Sequence, residues 1–132
     1  METLRIKTDA TVIDKEVGIG YVLYERKDGD YHEILRNGQL LEASYDSQKA
    51  EEIAIVRGLS VAQEHYSGGT VAAMTDCQGI VDRVRNRGVF SHNKKICSSL
   101  SAATNPFEEV MIKWIPSDEN TVAHKACRSV VE

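Results

Sequence analysis

GIGYVLYERKDGDYHEIL, residues 18–35, reads as two strands joined by a tight turn. Gly18 to Glu25 is apolar and aromatic, YHEIL at 31–35 resumes the pattern, and Asp28-Gly29 stands between them. Asp and Gly both tolerate the positive φ that a two-residue hairpin turn demands, so the pair is a hairpin signal with a mechanism. Upstream, Leu4, Ile6 and Thr8 alternate with Arg5 and Lys7, which makes residues 3–8 another strand. Downstream, Asn37-Gly38 precedes Leu40 and Leu41 and allows either a further hairpin or a bulge in a long third strand.

The pattern then changes to alternating helices and strands. Asp46 or Ser47 suits the N-cap of a helix reaching about Tyr66, which Ser67-Gly68-Gly69 ends. TVAAMTD at 70–76 is a buried strand, and Cys77 to Arg87 is a helix closed by Gly88. Lys94 to Ala103 is a further helix, stopped before Asn105-Pro106. EVMIKWI at 109–115 is a strand, and Pro116 breaks it. Ser117 caps the last helix, with Asp118 and Glu119 at its positive end. An antiparallel meander followed by crossovers implies an α/β fold in one domain, residues 1–132. Its five-stranded mixed sheet has three antiparallel strands, then parallel crossovers, with helices on both faces.

Composition is that of a soluble globular protein, 42% apolar and 27% charged over 132 residues. No apolar run approaches the ~20 residues that span a bilayer, and METLRIKTD has no apolar signal region. The expectation is a cytoplasmic protein with no membrane association. Cys77, Cys97 and Cys127 are widely spaced and show no paired-ligand pattern, so they read as reduced thiols rather than a structural zinc site. A net charge of −4 argues against general nucleic-acid affinity. The charge is uneven, however: Arg83, Arg85, Arg87, Lys94 and Lys95 face a single acid, Asp82, between residues 82 and 95. That segment is either an ordinary solvated face or a phosphate-contacting one.

LRIKTD ends at Asp9 and VAAMTD ends at Asp76, so two strands finish in Thr-Asp. If these strands are parallel neighbours, the carboxylates stand roughly 5 Å apart. Like charges that close repel, so one protonates or a cation binds between them, and oxygen-only ligands favour magnesium or manganese. Alternatively each aspartate starts a turn or caps the next helix. The long helix supplies a third acid. With Ala50 at zero and about 100° per residue, Glu51 falls near 100°, the middle of the apolar arc, whereas Glu52 falls near 200°, at its edge. Glu51 therefore points at the sheet and Glu52 largely does not. In the last helix, His124 falls between Val131 and Arg128, on the border of the buried face.

Five stretches together resemble the type 1 ribonuclease H family. They are TDAT at 8–11, GIGYVLY at 18–24, QKAEEIAIVRGL at 48–59, TDCQGIVDRV at 75–84 and IKWIPSDENTVAHKA at 112–126. They follow the family's order and spacing across nearly the whole chain. Gly88 to Pro106 is too short for the basic protrusion of some members, so the resemblance is to the compact branch. It implies a five-stranded mixed sheet with helices on both faces. It also implies hydrolysis of the RNA strand of RNA–DNA hybrids by two divalent cations, one activating water and one stabilising the leaving oxygen. The family's first-strand aspartate, helix glutamate and fourth-strand aspartate fall on Asp9, Glu51 and Asp76.

At the fourth acid this chain departs. Within a pattern like Asn-x-x-Ala-Asp-x-x-Ala, the matching residues are Asn120, Ala123 and His124. The mobile histidine loop of some members is absent, since WIPSDEN passes directly into the helix. A neutral imidazole removes one negative charge and suits manganese or zinc better than magnesium. The expectation is a nuclease whose catalytic and metal residues are Asp9, Glu51, Asp76 and His124, with magnesium or manganese as cofactor and manganese relatively favoured. Its partner is an RNA–DNA hybrid, met by Arg83, Arg85, Arg87, Lys94 and Lys95, and no protein partner is expected. The alternative is a catalytically degenerate ribonuclease H-like domain that binds nucleic acid or protein. A 3′–5′ exonuclease is disfavoured, because that pattern has Asp-x-Glu where this chain has Asp9-Ala10-Thr11.

Overall fold

The computed structural model describes residues 2–65, 69–87 and 107–131, the side chains of 83–87 excepted. The expected helix at 94–103 and the Gly88 stop lie outside that range. Strand β1 spans Leu4–Ile13, β2 Glu16–Lys27, β3 Asp30–Leu41, β4 Thr70–Thr75 and β5 Glu109–Trp114. Helix α1 spans Ser47–His65, α2 Gln78–Arg87 and α3 Thr121–Ser129. The sheet order is β3-β2-β1-β4-β5, with β1–β2 and β2–β3 antiparallel and β1–β4 and β4–β5 parallel. This is the expected five-stranded mixed sheet.

Asp28 and Gly29 have φ of 55° and 85°, and Lys27 pairs with Asp30, so the expected two-residue hairpin forms. A second one was not legible. Asp14 and Lys15 have φ of 50° and 69° and close β1 onto β2 at Ile13 and Glu16. Asp-Lys carries no turn signature, so β1 runs five residues beyond the expected strand end at Thr8. Asn37-Gly38 makes neither a hairpin nor a bulge. It sits in a regular ladder opposite Tyr21 and Gly20, and the register shift lies further back, where Ile34 is skipped between Leu35 and Glu33.

Asp46 caps α1, its Oδ1 accepting the Lys49 amide at 2.8 Å. The apolar arc of α1 buries Ala54, Ile55, Leu59 and Ala62 against Leu4, Ile6, Tyr21, Leu23, Val71 and Ala73, with Ile80 of α2 and Phe107 completing the core. Glu52 departs from the wheel: it is buried like Glu51, because α1 meets α2 as well as the sheet and its buried arc is wider. Ser117 does not cap the last helix. It opens a single 3-10 turn, Ser117–Glu119, and α3 starts after Asn120, so Asp118 and Glu119 stand before the helix rather than in its first turn.

Helix α3 covers the other face of β1, β2 and β3. Strand alternation places Gly18 and Gly20 on that face, and register sets Gly38 opposite Gly20. A Cβ on Gly18 would come 2.4 Å from the Cys127 carbonyl, one on Gly20 2.6 Å from that of Ala123, and one on Gly38 2.2 Å from that of Ala126. The three glycines form a trough into which the backbone of α3 sinks, bringing His124 and Cys127 down beside Asp9. Among the described residues no helix is long and apolar enough to cross a membrane.

Candidate active site

Thr8 and Thr75 are register partners in the parallel β1–β4 pair, so Asp9, within β1, and Asp76, just past the end of β4, stand side by side. Glu51, in the second turn of α1, reaches the same point from the other layer. A carboxylate oxygen from each of Asp9, Glu51 and Asp76 lies within 4.8 Å of the others, as the two Thr-Asp dipeptides and the helical wheel predict. The Ala10 amide is shared between them, donating to Asp9 Oδ1 at 2.9 Å and Glu51 Oε1 at 3.3 Å.

Three acids this close strain each other's ionisation. Burial, then the Asp9 charge and hydrogen bond, then Asp76, push the Glu51 carboxyl up to about 9 against the opposing pull of the Ala10 amide. Burial and the Asp9 charge also raise Asp76, while Asn120 and His124 hold it down. Glu51 Oε2 is buried and accepts no hydrogen bond. A buried carboxylate oxygen without a donor, beside two further carboxylates, is the arrangement that a hard dication satisfies. The donor set fits magnesium or manganese.

His124 joins through Asp9. Its Nδ1 lies 2.9 Å from Asp9 Oδ2, and its side chain is 54% exposed, consistent with a border position on the helix. Asp9 itself is 4% exposed. A cavity of about 500 Å³ opens above, lined by Asp9, Ala10, Asp76, Ser117, Asp118, Thr121 and His124. Arg83, Arg85 and Arg87 lie on α2, which begins two residues after Asp76, but their side chains and Lys94 and Lys95 fall outside the described residues.

Sequence reasoning passed over Asn120 as a site residue. It is fully buried, and its Nδ2 donates to the Thr8 carbonyl at 2.8 Å, tying β1 beside Asp9 to the start of α3. The signal was its place in the Asn-x-x-Ala pattern, which fixes α3 relative to Asp9.

A family model described as "Reverse transcriptase-like" matches residues 7–130. The chain belongs to this reverse transcriptase-like family. Its fold is that of type 1 ribonucleases H. Ribonuclease H1 from the halophilic archaeon Halobacterium salinarum NRC-1 superposes with a TM-score of 0.83 at 16% identity, covering 97% of this chain and 96% of that one. The N-terminal ribonuclease H domain of a Mycobacterium tuberculosis protein gives 0.80 at 19% identity, with 98% and 93% covered. The ribonuclease H1 called LC11, solved in complex with RNA/DNA hybrid, gives 0.77 at 17% identity, with 98% and 99% covered. No curated protein sequence matches the chain. The reverse transcriptase-like family and the shared fold agree with the resemblance read from the five sequence stretches.

Proposed function

We propose that this reverse transcriptase-like protein is a divalent-cation-dependent nuclease that hydrolyses the RNA strand of RNA–DNA hybrids. The observation that carries the reading is the convergence of Asp9, Glu51 and Asp76 from three separate elements onto one point. A bound dication pair supplies an activated water and neutralises charge on the cleaved phosphate. Asp9 presents an oxygen from within β1, Asp76 one from just past the end of β4, and Glu51 a buried oxygen from the opposite layer. His124 holds the Asp9 carboxylate through Nδ1 in place of a fourth acid. The cavity above the acids leaves room for a phosphate to approach. Arg83, Arg85, Arg87, Lys94 and Lys95 supply the positive charge that offsets a net −4 chain against a polyanion. The hybrid-bound neighbour supports hybrid as the substrate, which is read by shape and 2′-hydroxyls.

One observation favours a second reading, a binding domain without catalysis: an imidazole stands where the fourth acid belongs. Cleavage of a labelled hybrid separates the two. Under the nuclease reading, manganese supports hydrolysis that Asp9→Asn and Asp76→Asn abolish, and no cleavage in any divalent cation rejects it.

His124 sets the cation preference. Imidazole nitrogen ranks manganese above magnesium, so magnesium-supported cleavage is expected to be slower on the order of tenfold. Parallel titrations of the two cations check this, and equal rates contradict it. His124→Asp restores a fourth oxygen donor and is expected to raise the magnesium-to-manganese rate ratio by about the same factor. An unchanged ratio in that variant removes His124 from the metal chemistry.

A further inference from the structure

His124 and Cys127 lie three residues apart on α3, one above the other on the same face. Cys127 is fully buried in the glycine trough, and its thiol donates to the His124 carbonyl at 3.2 Å. The His124 ring nitrogen, the Cys127 sulfur and an Asp9 carboxylate oxygen all lie within 4.8 Å of one another. Asp9 thus stands between two donor sets of different character. With Glu51 and Asp76 it makes an all-oxygen set. With His124 and Cys127 it makes an oxygen, nitrogen and sulfur set.

We propose that Asp9, His124 and Cys127 form a second cation site, selective for zinc. Imidazole nitrogen and thiolate sulfur are zinc's preferred ligands, at roughly 2.0 to 2.3 Å, which sets donors about 3.5 Å apart around a tetrahedral ion. The Asp9–His124 pair already stands at 2.9 Å, and the Cys127 sulfur lies within 4.8 Å of both. Three protein ligands leave the fourth position to water from the cavity beside His124. Zinc binding displaces the thiol proton to solvent, and the dication compensates both Asp9 and the new thiolate. The cysteine spacing in the sequence hides this site, because its other two ligands are a histidine and an aspartate. Zinc held here takes Asp9 away from the all-oxygen set and acts as an inhibitor. That consequence rests on the nuclease reading, whereas the binding does not.

Cobalt(II) reports the site directly, as a spectroscopic substitute for zinc. Added to the metal-free chain, it is expected to give a near-ultraviolet thiolate-to-cobalt charge-transfer band at one equivalent, which zinc then bleaches. Cys127→Ser is expected to remove the band, and Cys77→Ser and Cys97→Ser to keep it. His124→Ala, a change at a half-exposed position, is expected to weaken cobalt binding at least about tenfold and serves as the deciding variant if Cys127→Ser fails to fold. Absence of the band in the unsubstituted chain, its survival in folded Cys127→Ser, or cobalt binding unchanged in His124→Ala overturns the proposal. Zinc inhibition of manganese-supported cleavage is read separately. A chain that shows the band but cleaves no hybrid in any cation keeps the zinc site and loses the nuclease reading.

Discussion

Asp9→Asn is expected to abolish hybrid cleavage while making the cation-free protein more stable. Asp9 touches every other component of the site: Glu51 and Asp76 across the acid cluster, and His124 at 2.9 Å. Removing its charge weakens cation binding and the charge stabilisation the cation provides, several kcal/mol in all, so the rate falls on the order of 10³-fold. The stability change has the opposite sign because the same charge raises Glu51 and Asp76 in the folded state. A carboxyl whose folded value lies above its unfolded one contributes stability in full below the unfolded value, 4.5 for Glu51. That stability is lost as the pH rises toward about 9. In chelator, the parent is therefore expected to lose stability between those limits, and Asp9→Asn to lose less. The gain at pH 8 is about 1–2 kcal/mol, or roughly 5 °C in the melting temperature, and is smaller at pH 5. Thermal unfolding at the two pH values checks it. A variant melting below the parent at pH 8 shows that the acids are not in mutual repulsion.

Gly38→Ala carries the largest expected effect on stability. Its new Cβ would meet the Ala126 carbonyl oxygen at 2.2 Å and the carbonyl carbon at 3.0 Å. Both are backbone atoms, so no side-chain rotation relieves the clash, and α3 must lift off the sheet. Overpacking of this kind costs about 3 kcal/mol, which lowers the melting temperature by roughly 10 °C. Gly29→Ala is the matched control. Nothing lies within 4 Å of its Cβ, and its penalty comes only from a φ of +85°, about 1 kcal/mol. Similar melting temperatures for the two variants contradict the trough. A folded Gly38→Ala protein should also show weaker cobalt binding, because His124 and Cys127 ride on the displaced helix.

The three acids were legible because each carries a local signal. Asp9 and Asp76 follow apolar strand patterns in the same Thr-Asp dipeptide, although β1 runs on past Asp9 to Ile13, and Glu51 sits at the centre of an apolar arc. Each signal needs only the period of one element and the assumption that the two strands are neighbours. Glu52 failed the same reasoning because a wheel treats a helix as facing one surface, and α1 faces two. Asn120 read as a polar residue in the first turn of a helix capped by Ser117. Its burial follows from where α3 starts, one residue after a 3-10 turn rather than at Ser117.

The sequence by itself determined the types of the described β-strands and α-helices, the Asp28-Gly29 hairpin and which three acids could meet, because periodicity and turn chemistry act over a few residues. Only the tertiary structure decided that Gly18, Gly20 and Gly38 are one feature and that Cys127 lies beside Asp9. These residues are far apart in the chain and meet only through strand register and the close approach of α3. Such close approach is a property of two packed surfaces, and no local pattern encodes it.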